Sequence, residues 1–197
     1  ALNGQGGFGT SETIALAKQV APQTDLISGS SVAAQAVTGS VQGIMSNRMA
    51  SLRSGDAFYG SGMSAGSSVS ANSAFLQVFG STVEQGNTTV GSGTQYGYDA
   101  DTSGIAFGTD YVTDTGSVVG LSLSASETEV DGNGTGNSEN NIDSYTASIY
   151  VDKSTDTGYV EGSLTIGRNE NTTSRIVNTA GLTRTYTGSY DSNQASL

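Results

Sequence analysis

The sequence contains neither cysteine nor histidine. Their absence excludes disulfides, thiolate chemistry, imidazole bases and zinc sites built from these two residues. It excludes a serine–histidine hydrolase as well. Only 7 lysines and arginines stand against 18 aspartates and glutamates, so the net charge is −11. Because binding to nucleic acid depends on a basic patch, we expect no nucleic-acid partner.

Long apolar runs are also missing. No stretch of about 18 apolar residues occurs, which argues against a transmembrane helix. A membrane β-strand needs only about 9 to 11 alternating residues, so a β-barrel stays open. Proline occurs once and tryptophan not at all, whereas Val, Ile, Thr and Tyr are spread through the second half. This composition is typical of an ordered, β-rich chain, and the lack of cysteine suits a secreted or envelope protein of a bacterium.

The first third of the chain divides into three segments. Residues 1–30 read as a lead with a short helix at 10–22, which Pro22 ends, followed by a break at 25–30. Residues 31–55 predict a longer helix and 56–73 a Gly/Ser linker. The apolar residues of the longer helix recur at steps of three and four, which gives one stripe: Val37, Val41, Ile44, Met45, Met49 and Leu52.

Residues 74–197 predict an antiparallel meander of about six strands, at 74–85, 103–114, 116–130, 143–153, 158–170 and 181–193. In the third strand, Val119, Leu121 and Leu123 share one face, and Gly and Ser fill the other. This pattern fits an outer-membrane barrel or partial barrel, with the apolar face toward lipid and a wet lumen. It also fits a soluble extracellular β-sandwich or a fibre-forming adhesive protein.

Five tyrosines near predicted strand ends are candidates for an interfacial aromatic girdle. The alternative is that tyrosine is simply a good strand former. The five are Tyr98, Tyr111, Tyr145, Tyr159 and Tyr186.

The stretch "GYDADTSGIAFGTDY" (97–111) has two interpretations. Asp99, Asp101, Ser103, Gly104 and Asp110 occupy EF-hand positions, but the flanks are not helical and the second half alternates like a strand. We therefore favour a turn over 98–103 that leads into a strand. The segment "DGNGTG" (131–136) could be an anion-binding nest or a calcium turn, but we favour a flexible surface loop.

Carboxylate pairs could in principle run glycoside hydrolysis. The pairs at 99/101 and 127/129 fall at predicted turns or strand ends, so we expect no enzyme. No catalytic residue, cofactor or metal is assigned to the chain.

Arg48 and Arg53 lie near the end of the predicted helix. Arginines inside a barrel lumen need acidic partners. Strand parity puts Asp110, Asp152 and Glu161 on the small, polar face, so we hypothesise that the helix plugs the lumen through these pairs. The alternative is a set of solvent-exposed arginines that contribute little.

An ordered set of motifs carries a resemblance to a known family. It begins with "SNRMASLRSGD" (46–56), "AFLQVFGS" (74–81) and "YGYDADTSGIAFGTDY" (96–111), and strand motifs follow at 117–134, 142–153, 158–170 and 182–194. The set resembles the translocator β-domain of bacterial type V secretion autotransporters. The resemblance implies a twelve-stranded barrel in the outer membrane, inserted by the barrel-assembly machinery, that carries an N-terminal passenger to the cell surface.

The sequence departs from the family in two ways. It ends at "QASL" after about six strands, so we expect a fragment, a partial barrel or a half whose open edges pair with other chains. Some members cleave themselves at an Asn–Asn pair in the helix. Here Asn47 is followed by Arg48 and the Asn–Asn pair is at 140–141, so self-cleavage is not expected.

Overall fold

The computed structural model describes residues 24–54, 72–91, 93–134, 136–179 and 182–197, together with residues 14 and 17. One long helix, α1 (Thr24–Ser54), packs on one face of a six-stranded antiparallel sheet. We call the face that α1 covers the inner face and the opposite one the outer face. Within the described residues, no helix is both long enough and apolar enough to cross a membrane.

The sheet is an up-and-down meander with the strand order β1-β4-β5-β6-β7-β8. A separate two-stranded hairpin, β2–β3, sits in the connection between β1 and β4. Every pairing is antiparallel, which confirms the predicted fold class. The elements are α1 Thr24–Ser54, β1 Asn72–Gln85, β2 Thr88–Val90, β3 Gly93–Gln95, β4 Tyr98–Val112, β5 Ser117–Gly132, β6 Ser138–Thr155, β7 Gly158–Thr179 and β8 Leu182–Ser196.

The strands are longer than their apolar patterns predicted. The predicted strands end at 130 and begin again at 143, but β5 continues to Gly132 and β6 begins at Ser138, so only 133–137 connect them. Likewise, β7 continues through a polar stretch to Thr179. The reason is that ladder hydrogen bonds satisfy the backbone whatever the side chains are. Alternation marks only the part of a strand that has one apolar face.

The stretch 97–111 is neither a turn nor a calcium loop. β4 begins at Tyr98, which pairs with Gln85 on one side and with Gly132 on the other. Because successive side chains point to opposite faces, the exposed Asp99 and Asp101 lie on the outer face and the buried Asp110 on the inner. The EF-hand positions therefore do not converge on one side of the sheet. Both the calcium loop and the predicted turn over 98–103 are wrong.

The helix also starts earlier than predicted. Residues 25–30 were interpreted as a break, but α1 begins at Thr24 and continues through them. Gly29 belongs to the packing surface, because a β-carbon there would lie 2.6 Å from Val130 and 2.8 Å from the Tyr98 ring. Ile14 and Ala17 are helical, while the predicted linker lies outside the described residues except for its last two positions, which are in β1.

The core between α1 and the inner face has two parts. One lies toward the beginning of the helix and includes Leu26 and Ala33 against Tyr98 and Val130. The other lies toward its end and includes Met45 and Met49 against Phe75 and Tyr150. The residues predicted to form the apolar stripe are buried, except that Leu52 is half-buried.

The outer face carries an apolar band and a charged region. Val119, Leu121, Leu123 and Ala125 of β5 form a band about 20 Å long at 3.4 Å per residue. Neighbouring strands continue the band with Ile105, Phe107, Ile149, Leu164 and Ile166, all at least 41% exposed. Beyond it, β5 turns acidic with Glu127, Glu129 and Asp131.

The tyrosine girdle is only partly as predicted. Tyr111 and Tyr145 lie exposed on the outer face. Tyr98 is buried under α1, and strand register puts Tyr159 and Tyr186 on the inner face too, beside Ser154 and Arg175 respectively. A position near a strand end does not decide the face; the parity along the strand does.

Candidate functional site

The structure brings the five predicted contact residues together in two groups at one end of the inner face. In the first group, Arg48 of α1 meets Asp110 of β4. The Nε and Nη2 atoms of Arg48 lie 2.8 and 2.7 Å from Asp110 Oδ2. The Asp110 side chain is fully buried and that of Arg48 is 10% exposed. An ion pair so far from solvent is screened much less than a surface pair.

Two further side chains from the sheet complete the Asp110 cluster. Ser73 Oγ accepts a hydrogen bond from Arg48 Nη2 at 2.7 Å and donates one to Asp110 Oδ2 at 3.0 Å. The Tyr150 hydroxyl donates to the other oxygen, Asp110 Oδ1. The guanidinium carbon also lies 5.4 Å from the centre of the Phe75 ring, within the range of a cation–π contact.

The second group forms around Arg53, about one helical turn further along. Its Nη1 contacts Asp152 and also lies 3.0 Å from Glu161 Oε2. The guanidinium carbon lies 3.8 Å from the centre of the Tyr159 ring. Asp152 and Glu161 are cross-strand partners on β6 and β7. One arginine therefore bridges two neighbouring carboxylates and offsets the repulsion between them.

The other end of α1 is fastened by a contact that the sequence did not reveal. Asp25, in the first turn of the helix, is 5% exposed, and its Oδ2 accepts a hydrogen bond from the Gly134 N–H at 3.0 Å. Nearby, Asn140 donates to Ser30 Oγ at 2.8 Å. One backbone N–H of the "DGNGTG" segment thus binds a carboxylate of the chain itself. The anion-nest interpretation of this segment pointed to an anion but not to Asp25.

Between these ends, α1 faces a belt of small polar side chains on the inner face. The hydroxyls of Ser122, Ser126 and Ser144 are buried and make no hydrogen bond within the described part of the chain. The helix presents small or apolar residues there, such as Ala33 and Val37. The polar contacts that we find between helix and sheet are therefore concentrated toward the two ends, apart from one bond of 2.7 Å between Gln42 and Ser196.

A group of acids lies apart from this site on the outer face. Carboxylate oxygens of Glu129, Asp131 and Glu139 lie within 4.8 Å of one another, beyond the apolar band. Partial burial, followed by the charges of Glu139, Asp99 and Asp101, raises the pKa of Asp131. The pairs proposed for glycoside chemistry, 99/101 and 127/129, are on this same face.

The two ends of the sheet differ in their connections. Turns 113–116 and 156–157 are short and lie at the end where Arg48 and Arg53 bind. Connections 86–97 and 133–137, of 12 and five residues, lie at the end where Asp25 binds, and only the two residues 180–181 separate β7 from β8 at this end. Membrane barrels of bacteria have short turns on the periplasmic side and longer loops outside. The direction of α1 is therefore from the longer connections toward the short turns.

A family model described as an autotransporter beta-domain matches residues 74–197, more than half of the chain. The chain belongs to the autotransporter β-domain family. No curated protein is similar enough to the chain to count as a match. The family match covers all eight strands except the first two residues of β1, so the sheet is the translocator and α1 precedes it.

Membership of this family settles the main alternatives. An autotransporter β-domain lies in the bacterial outer membrane, anchors there and exports an N-terminal passenger to the cell surface. The exposed apolar band is then the surface that meets lipid, and the inner face is the wall of the lumen. Nothing in the match supports the soluble adhesive or fibre-forming protein.

Several side chains of the site were not predicted as contacts from the sequence, among them Asp25, Ser73, Tyr150 and Tyr159. For Tyr150 and Tyr159 the obstacle is that strand alternation does not say along which direction a long side chain lies. For Asp25 and Ser73 the obstacle was the boundary of an element, since both fell in segments expected to be irregular.

Proposed function

We propose that α1 is the segment of the exported chain that stays in the barrel lumen after transport, and that it closes the lumen to solutes. In this proposal the passenger leaves at the end of the longer connections, and the helix returns to the end of the short turns. The observation that carries it is that opposite ends of α1 bind opposite ends of the sheet.

The length of the helix supports this proposal. Its 31 residues extend about 46 Å at 1.5 Å per residue, enough to cross a hydrocarbon layer of about 30 Å. The helix does not meet lipid, because its apolar stripe faces the sheet and its remaining surface is small or polar apart from the exposed Ile27. Such a surface suits a wet lumen.

The charges of the helix support a stable position rather than a loose one. Removing one partner of a buried ion pair costs about 3–5 kcal/mol, because the other charge stays buried without a counter-charge. Arg48 with Asp110 is such a pair, and Arg53 with Asp152 is nearly so. Together they favour α1 at this register over one shifted by a turn.

Two further aspects belong to the same proposal. We expect the barrel-assembly machinery of the outer membrane to insert the strands, and the sheet edges at β1 and β8 to pair with further strands. We also propose that no catalytic step is involved. The exposed position of the carboxylate pairs on the outer face supports this.

The test is conductance of the protein in planar lipid bilayers. Arg48→Glu places a second acidic group beside Asp110 and should expel the end of the helix, which raises the pore conductance. Lys153→Glu makes the same change of charge at an exposed position and should leave conductance unchanged. An Arg48→Glu protein that conducts like the parent would contradict the proposed closure.

A further inference from the structure

We infer that Tyr150 is a positioning residue: it holds Asp110 in the orientation that receives Arg48 and so decides whether the end of α1 can lock into the lumen. The inference rests on the proposed function, since it concerns the same helix in the same lumen. It adds a residue that makes no hydrogen bond to the helix itself and acts through Asp110.

The first argument is the path of the Tyr150 side chain across the sheet. Ser73, Asp110, Gly120 and Tyr150 form one transverse row, because each is the register partner of the next. Tyr150 is two strands away from Asp110, with β5 between them. Its ring crosses β5 over Gly120, and a β-carbon at Gly120 would collide with the ring. A glycine at this position is what allows the hydroxyl to reach Asp110.

The second argument is how the oxygens of Asp110 are shared. Arg48 and Ser73 both bind Oδ2, whereas the Tyr150 hydroxyl binds Oδ1. A carboxylate held at one oxygen can rotate about its side-chain torsions, since rotation about sp³–sp² bonds is soft. With both oxygens bound, the carboxylate is fixed and Oδ2 points at the helix. Tyr150 is fully buried, so no exposed water competes for the hydroxyl.

The third argument concerns the order of assembly. We call the row that receives Arg48, formed by Ser73, Asp110, Gly120 and Tyr150, the receptor. All of it comes from the adjacent strands β1, β4, β5 and β6 of the sheet. The receptor is therefore formed by strand pairing alone and includes no residue of α1. Preorganised partners lose less freedom on binding than mobile ones. Tyr150 is then a residue for capture of the helix and not only for packing of the wall.

The experiment uses cysteine reactivity in the complete protein in isolated outer membranes. Because the chain has no cysteine, Met49→Cys supplies a unique thiol in the described sequence. Met49 is 1% exposed under the helix end, so a thiol there reacts with a soluble maleimide only when that end is released. The reporter is combined with Tyr150→Phe, with Arg48→Gln, with both, and with Tyr145→Phe as a matched control on the outer face of the same strand.

The inference predicts that Tyr150→Phe raises the labelling rate about tenfold, the effect of one lost hydrogen bond to a buried charge. Phenylalanine keeps the ring on Gly120, so packing alone predicts no change. Arg48→Gln should raise the rate at least as much, and adding Tyr150→Phe to it should change nothing further. Tyr145→Phe should label like the parent. Unheated gels identify any variant that has lost the folded barrel.

Three outcomes contradict the account at different levels. If Tyr150→Phe labels like the parent while Arg48→Gln labels fast, the helix is held as proposed but Tyr150 does not position Asp110. If the two changes multiply in the double variant, Tyr150 acts by a route other than Arg48. If Arg48→Gln itself leaves the thiol protected, the helix is not held through Arg48 and the proposed function fails with the inference.

Discussion

The buried ion pair between Arg48 and Asp110 gives the sharpest prediction on stability. Asp110→Asn keeps the shape of the side chain and removes its charge. The carboxylate is fully buried and Arg48 is 10% exposed, so the arginine would stay largely out of water without its counter-charge. Breaking a buried pair from one side costs about 3–5 kcal/mol. We expect a loss of that size in the free energy of unfolding.

The assay is urea unfolding of the protein in lipid vesicles, followed by far-ultraviolet circular dichroism. Asp143→Asn is the matched control, because Asp143 lies exposed on the outer face between Glu127 and Glu170. Like charges on directly opposite strands repel, so this change should be neutral or slightly stabilising. The double variant Arg48→Gln/Asp110→Asn has no stranded charge and should recover at least half of the loss.

Two results would refute this reasoning. An Asp110→Asn protein as stable as the parent would mean that the pair is open to water or that α1 does not lie against β4. A double variant whose loss equals the sum of the two single losses would mean that Arg48 and Asp110 act independently.

Three other predictions concern different parts of the molecule. Gly120→Ala should destabilise the barrel by about 1–3 kcal/mol in the same urea assay, because the new methyl group would overlap the Tyr150 ring. Gly162→Ala is the control: it has open space around it and should be neutral. Asp25→Ala should speed amide hydrogen exchange in the first turns of α1 about fivefold, because a contact at a helix start contributes roughly 1 kcal/mol. Unchanged exchange would contradict the contact between Asp25 and Gly134. Leu123→Arg should cost about 2–4 kcal/mol in vesicles if it faces lipid, whereas Glu129→Arg, beyond the apolar band, should be tolerated; equal tolerance of both would argue against the band.

Much of the fold could be predicted because the central part of each strand has one apolar face. The alternation from Val119 to Ala125 fixes both the strand and its faces. The same parity placed Asp110, Asp152 and Glu161 on the face where the structure now puts the arginines. Alternation in the sequence predicts the face of each side chain, because successive side chains of a regular strand point to opposite faces of the sheet.

The failures have a common physical origin. Strand ends in polar segments, such as Ser138 and Thr179, were missed because backbone pairing does not need an apolar face. The start of α1 was missed because Ser and Gly favour breaks locally, while packing of Gly29 on Tyr98 outweighs that preference. The predicted site lacked Tyr150 because this side chain reaches Asp110 only across Gly120, where no side chain is in the way. That arrangement depends on the register of β4, β5 and β6, which the sequence does not show.

The central claim is the orientation of the sheet in the outer membrane, with the longer connections outside and the short turns in the periplasm. Cysteine labelling of intact cells tests this orientation most directly. Two single-cysteine variants are compared with a membrane-impermeant maleimide: Asn133→Cys in the longer connection and Thr115→Cys in a short turn, both at exposed positions. The account predicts that the first is labelled in intact cells and that the second is labelled only after the outer membrane is permeabilised. Labelling of Thr115→Cys in intact cells, with Asn133→Cys protected, would contradict the orientation of the barrel and the direction of α1.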